Sequence, residues 1–160
     1  MKRFLLLTFF VAASMIAPAQ KMEILINDNL AKMNMGQTYR LTNDSLVVTG
    51  KADYGRSNVD YLRRALTSKE KKKIQKLLST FPVDSLRPEY FDDYSNFKII
   101  DEEHYPRSID ISITWKDKTT VSRATNAWVS LYMQLIDAVN PLFPEEVRVV
   151  VDKSKFNVFY

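Results

Sequence analysis

The chain has 160 residues, 46% of them hydrophobic and 26% charged, with 3 Gly, 6 Pro and no Cys. That composition argues against disorder, collagen-like repeats and disulfide scaffolds. The lack of Cys also removes thiol catalysis and thiolate metal sites.

The formal net charge is +4, but Lys2 and Arg3 stand at the head of a segment patterned as a targeting signal. Phe4 to Ile16 is a short apolar run, and Ala17-Pro18-Ala19 supplies the small residues that a signal peptidase reads before Gln20. The expectation is a signal peptide over 1–19, export to a periplasmic or secreted location, and a single domain over 20–160. The run of 13 residues is shorter than the ~20 that span a bilayer, and no later segment is apolar enough for a membrane helix. Without residues 1–19 the chain carries 21 Lys and Arg against 19 Asp and Glu. Near-neutrality and export together argue against a nucleic-acid partner.

Along the mature chain, Met22, Ile24 and Ile26 alternate like a strand, while Asn27-Asp28-Asn29 and Met33-Asn34-Met35-Gly36 read as turn or loop. Tyr39 and Leu41 lead to a turn at Asn43-Asp44, and Leu46-Val47-Val48 returns, giving a hairpin. Val59 to Leu66 reads as a further strand with Tyr61 and Arg63 on the same side of the pleat. A helix follows. Thr67 and Glu70 have the capping-box spacing, Ile74, Leu77, Leu78 and Phe81 recur on one face, and Lys69, Lys72, Lys73 and Lys76 fall on the other. Pro82 stops it near Thr80.

Residues 83–106 read as a long connection with a short strand at Phe97 to Ile100, a length that is often functional. Ile109, Ile111, Ile113 and Trp115 then alternate with Ser108, Asp110, Ser112 and Thr114, which makes a strand with one wet face. Lys116-Asp117-Lys118 turns the chain into a partner strand over Thr119 to Ala124. A second helix is expected, capped by Thr125 or Asn126, with Trp128, Leu131, Tyr132, Leu135 and Val139 on its buried stripe, Val129, Met133 and Ile136 widening it, and only Ser130, Gln134 and Asp137 facing water. Asn140-Pro141 ends it. Val147, Val149 and Val151, then Phe156, Val158 and Tyr160, suggest a terminal strand pair.

The order predicts an α+β fold, an antiparallel sheet with two helices packed on one face. Phe81-Pro82 and Phe143-Pro144 follow the two helices and hint at a duplicated strand-strand-helix unit of about 60 residues. The layout resembles small exported folds such as β-lactamase-inhibitor-like and PepSY-like domains, a likeness of architecture that carries no function.

The strongest local anomaly is chemical. Residues 84–104 hold Asp84, Glu89, Asp92, Asp93, Asp101, Glu102 and Glu103 against Arg87 and Lys98, a net charge of −5 in an otherwise basic chain. Tyr90, Phe91, Tyr94, Phe97 and Tyr105 are interleaved with them. Such a stretch suits a solvated loop, a charged partner surface, or a hard cation, although EF-hand spacing is missing. His104 is the single histidine, with Glu102 and Glu103 beside it. No nucleophile elbow, paired metal-binding histidines, phosphate loop or dinucleotide fingerprint occurs.

The expected function is therefore a non-enzymatic exported binding domain. Its candidate binding residues are Glu89, Tyr90, Phe91, Asp92, Asp93, Tyr94, Asp101, Glu102, Glu103, His104 and Tyr105, with no catalytic residue, metal or cofactor assigned. The expected partner is a protein or glycan of the cell envelope. The alternatives are a small carboxylate-dependent hydrolase acting on glycans, since that chemistry needs only two suitably spaced acids, and a structural envelope component.

Overall fold

A computed structural model of the chain describes residues 21–30, 35–52, 57–91, 107–156 and 158–160. The expected signal segment and the strand expected at Phe97 to Ile100 lie outside them. Among the described residues, seven strands form one sheet: β1 (Met22–Leu30), β2 (Met35–Thr42), β3 (Ser45–Ala52), β4 (Ser57–Ala65), β5 (Glu89–Phe91), β6 (Arg107–Trp115) and β7 (Lys118–Thr125). Their order is β4-β3-β2-β1-β6-β7-β5. With α1 (Ser68–Thr80) and α2 (Ser130–Val139) the protein is α+β. The purely antiparallel expectation is corrected at one edge, because β5 pairs parallel with β7. The chain leaves β4 at one edge of the sheet and, after α1, enters β5 at the other.

Strand alternation decides which side chains form the core. Met22, Ile24 and Ile26 of β1, Tyr39 and Leu41 of β2, Leu46 and Val48 of β3, and Ile109, Ile111 and Ile113 of β6 are buried. They share one cluster with Ile74 and Leu78 of α1 and with Tyr132, Leu135, Ile136 and Val139 of α2. Each such burial contributes about 1.5–3 kcal/mol, so these rows dominate the folding energy. Tyr39 packs edge-on against Phe143 at 5.4 Å and donates its hydroxyl to Gln37 Oε1.

The N-terminal strand runs further than the sequence suggests. Asn27-Asp28-Asn29 is strand, not turn, because its polar groups find cross-strand partners. Asn27 Oδ1 accepts from the Thr38 hydroxyl at 2.9 Å, and Asp28 accepts from Arg107 Nε at 2.7 Å and Nη2 at 2.5 Å. Those partners are 11 and 79 residues away, beyond the reach of a local turn rule. Met35 and Gly36 likewise open β2 rather than a loop.

The Asn43-Asp44 hairpin forms as expected. In β4 a bulge opposite Val48 and Thr49 breaks the alternation. A Cβ on Gly50 would strike the Tyr61 ring, which places Tyr61 on the core side, whereas Arg63 pairs with Asp60 on the other side at 2.9 Å. The expectation that Tyr61 and Arg63 share a face fails for this reason: a bulge inserts one residue and shifts the pleat phase.

The first helix follows its sequence signals. Thr67 and Glu70 form the reciprocal capping box, and the helix ends at Thr80 before Pro82. Glu70 is also gripped by Arg64 of β4 at 3.0 and 2.7 Å, while Arg64 reaches the Leu142 carbonyl at 2.7 Å. That staple joins β4, α1 and the turn after α2. It holds the Glu70 carboxyl well below its ordinary value, at about 2, chiefly through the Arg64 hydrogen bonds and then the Thr67 backbone.

The second helix starts later than expected. Asn126 is not its cap. With a φ of 52°, Asn126 exchanges two hydrogen bonds with Arg107, its N–H donating to the Arg107 carbonyl and its Oδ1 accepting from the Arg107 N–H, each at 2.9 Å. Ala127–Trp128 is a short strand, β8, paired parallel with β9 (Val158–Phe159). The N–H of Ser130 then donates to the Tyr160 carbonyl at 2.8 Å, so the returning C-terminal segment stands in for a side-chain cap. Trp128 is thus half-buried on a strand against Phe156, not on the helix stripe. Within α2 the water-facing set is Ser130, Gln134 and Asp137, as expected. The terminal strand pair is also corrected: Glu145–Val147 is a 3-10 turn, and β9 pairs with β8 rather than with the Val149 segment.

Candidate interaction face

The pleat positions opposite the core form a second surface, whose register is read directly from the strand pairing. One row crosses six strands as Val121, Ser112, Leu25, Arg40, Val47 and Arg63. The next holds Arg123, Asp110, Asn27, Thr38, Thr49 and Asp60, with Glu89 of β5 beside Arg123. Val121 is 62% exposed, and Leu25 and Val47 are half-buried by their neighbours. Two shallow depressions meet at Leu25. One, of 400 Å³, is bounded by Arg40, Val47 and Arg63; the other, of 470 Å³, by Pro88, Glu89, Asp110, Val121 and Arg123.

Charges on this face are paired, two of the three pairs across strands and one within β4. Arg123 donates to both oxygens of Asp110 at 2.8 and 3.0 Å, and that contact raises the guanidinium pKa further above its ordinary value. Arg40 Nε meets Glu23 at 2.5 Å, and Arg63 meets Asp60. The arginines of these pairs are solvated, so the pairs contribute little stability.

The acidic, aromatic stretch singled out in the sequence begins at β5. Glu89 is exposed on the open side beside Arg123, and Phe91, two residues on, is 48% exposed. Tyr90 turns the other way, into the core, where it stacks edge-on with Tyr132 at 5.8 Å and its hydroxyl accepts from the Arg87 N–H at 3.0 Å. Asp92, Asp93, Tyr94, Asp101, Glu102, Glu103, His104 and Tyr105 lie outside the described residues. Leu25, Val47, Asp110, Val121 and Arg123 were not singled out in the sequence. Their signal was the alternation itself, because each lies at the strand phase opposite the buried one.

Among the described residues no cluster of three or more His, Asp or Glu side chains could hold a metal ion, and no helix is long and apolar enough to cross a membrane. Among the described residues, fold and surface together define an α+β unit with one sheet face turned to the core and one left open. Comparison with family models, curated proteins and solved structures finds nothing that matches this chain.

Proposed function

We propose that the chain is an exported, non-enzymatic binding domain that engages a protein of the cell envelope through the open face of its sheet, with Glu89 and Phe91 at the rim. The observation that carries this reading is the row Val121, Ser112, Leu25, Arg40, Val47 and Arg63, in which one exposed and two half-buried apolar groups alternate with polar and charged ones over two joined depressions. Protein interfaces combine such an apolar centre with a charged rim. The same proposal includes cleavage after Ala19, packing of both helices on one sheet face, and a repeated strand-strand-helix unit marked by the two Phe-Pro pairs.

A glycan is the weaker partner, because the described part of this face carries one exposed ring, Phe91, at its edge, and sugars are ordinarily gripped by stacked aromatic faces. A hydrolase is weaker too. Asp110 is held by both nitrogens of Arg123, and Glu89 is exposed, so neither is the sheltered carboxyl that a general acid requires.

The test is affinity capture from an envelope extract with three proteins: the native chain, the open-face variant Leu25→Asp/Val121→Asp, and the variant Asp92→Asn/Asp93→Asn/Glu102→Gln/Glu103→Gln. A partner kept by the native protein and lost by the open-face variant, with thermal midpoints unchanged, is the expected result. Retention by the open-face variant with loss by the acidic one would move the site off the sheet and into residues 92–105. Intact mass of the protein recovered from the envelope checks whether it begins at Gln20.

A further inference from the structure

The longest stripe of cations among the described residues stands where none of the described carboxylates pairs with it. Lys69, Lys72, Lys73 and Lys76 stand at i, i+3, i+4 and i+7 of α1, a stripe roughly 10 Å long on one side of the helix. All four are exposed. The one carboxylate of α1, Glu70, is committed to Arg64 and Thr67, and Lys71 is committed to Asp44 at 2.6 Å. Elsewhere among the described side chains, basic groups other than Lys21 are engaged. They pair with carboxylates, as Arg123 does, or lie over rings, as Lys116 does over Trp115 at 5.6 Å, or donate to a carbonyl, as Arg148 does to Phe143. Four like charges on one helix face repel one another and destabilise the helix slightly, a cost that an external counter-charge would relieve.

We propose that this stripe docks the domain onto a membrane surface rich in anionic lipid. The remaining exposed positions of α1 are Ser68, Gln75, Ser79 and Thr80. They supply none of the aromatic or Arg anchors that centre a protein interface, where Lys itself is depleted. A fluid layer of anionic headgroups asks for no such anchor. It needs only flexible point charges within a Debye length of the surface. The apolar face of α1, Ile74 and Leu78, is spent on the core, so contact is electrostatic rather than by insertion. Asp137 of α2 is the acid that faces the stripe from the neighbouring helix. It lines a 280 Å³ groove with Lys73 and Lys76 but forms no ion pair among the described residues, and it lowers the potential at that end only. Docking through α1, on the core side of the sheet, leaves the open face directed away from the membrane, available to a partner. The inference does not depend on that partner.

The experiment is vesicle flotation of the full chain at low and high salt, with phosphatidylcholine alone and with phosphatidylcholine plus phosphatidylglycerol. Because an apolar N-terminal segment can bind either vesicle, the readout is the gain caused by the anionic lipid. The variant Lys69→Gln/Lys72→Gln/Lys73→Gln/Lys76→Gln is expected to lose that gain by at least about 30-fold at low salt. A control removing four cations elsewhere, Lys21→Gln/Lys116→Gln/Arg148→Gln/Lys153→Gln, should lose under about threefold. Equal loss in both variants would make net charge, not the stripe, responsible and would overturn the proposal. So would absence of any anionic gain in the native chain, or salt-sensitive binding to polyglutamate with none to vesicles, which would assign the stripe to an acidic protein.

Discussion

The two sides of the sheet carry the same backbone and obey opposite rules. Each has a bidentate Arg–Asp bridge. On the core side Arg107 grips Asp28, with side chains 18% and 15% exposed, and reaches on to the Val150 carbonyl at 2.7 Å; on the open side Arg123 grips Asp110, with side chains 60% and 19% exposed, so the two bridges differ chiefly in the solvation of the arginine. The core-side bridge clamps the C-terminal segment to the central strand, where water has less room to replace a lost partner. On the open side water can do so. The difference teaches that burial, not geometry, decides whether an ion pair holds a fold or remains free to meet another molecule.

That contrast is sharpest between neighbours on β1. Ile26→Ala on the core side should cost about 3–4 kcal/mol, and Leu25→Ala under about 1 kcal/mol, in a denaturant titration. Equal losses would mean that both faces are packed. Next in size, Arg107→Ala should cost about 2–3 kcal/mol because it strands a half-buried carboxylate, and Asp28→Ala/Arg107→Ala should cost less than the single change. Arg123→Ala should fall within about 0.5 kcal/mol. A large Arg123 effect would show that the open face is structural.

Trp128→Ala lies between these. With the ring half-buried on β8 against Phe156, a loss of about 2 kcal/mol is expected, below the roughly 3–5 kcal/mol that a fully buried helix position would give.

A smaller effect than that of Trp128→Ala concerns the staple at the head of α1. Glu70→Gln should cost about 1 kcal/mol through the weakened capping box and ion pair. Because the folded carboxyl titrates at about 2 against an ordinary 4.5, its contribution is complete above 4.5 and is lost as pH falls from there towards 2. Melting curves of the native chain and Glu70→Gln should therefore differ at pH 6 and converge near pH 2. Tyr39, pushed up to about 12 by burial and then by Asp28, with Arg107 offsetting part of it, gives a late phenol transition in an absorbance titration.

What the sequence discloses follows from range. The capping box of α1, the alternation of β6, the Asn43-Asp44 hairpin and the wet positions of α2 depend on neighbours within a few residues, and they are legible. The Asp28–Arg107 bridge, the β4 bulge around Gly50, the parallel pairing of β5 with β7, and the capping of α2 by Tyr160 depend on distant parts of the chain. Lys116 and Asp117, both at positive φ in a two-residue hairpin, make a tight turn without the expected glycine. The candidate face was only half legible. Its wet positions stood out in β6, but its continuity over six strands required the strand order, and the composition anomaly drew attention to residues 84–104 instead.

The most direct test of the central claim is photo-crosslinking in envelope-bearing cells, with a photoreactive residue placed at the position of Val121 on the open face or of Gln134 on α2. The account predicts a discrete protein adduct from position 121 and none from 134. Adducts from 134 alone, or none from 121 in a protein that folds normally, would contradict it.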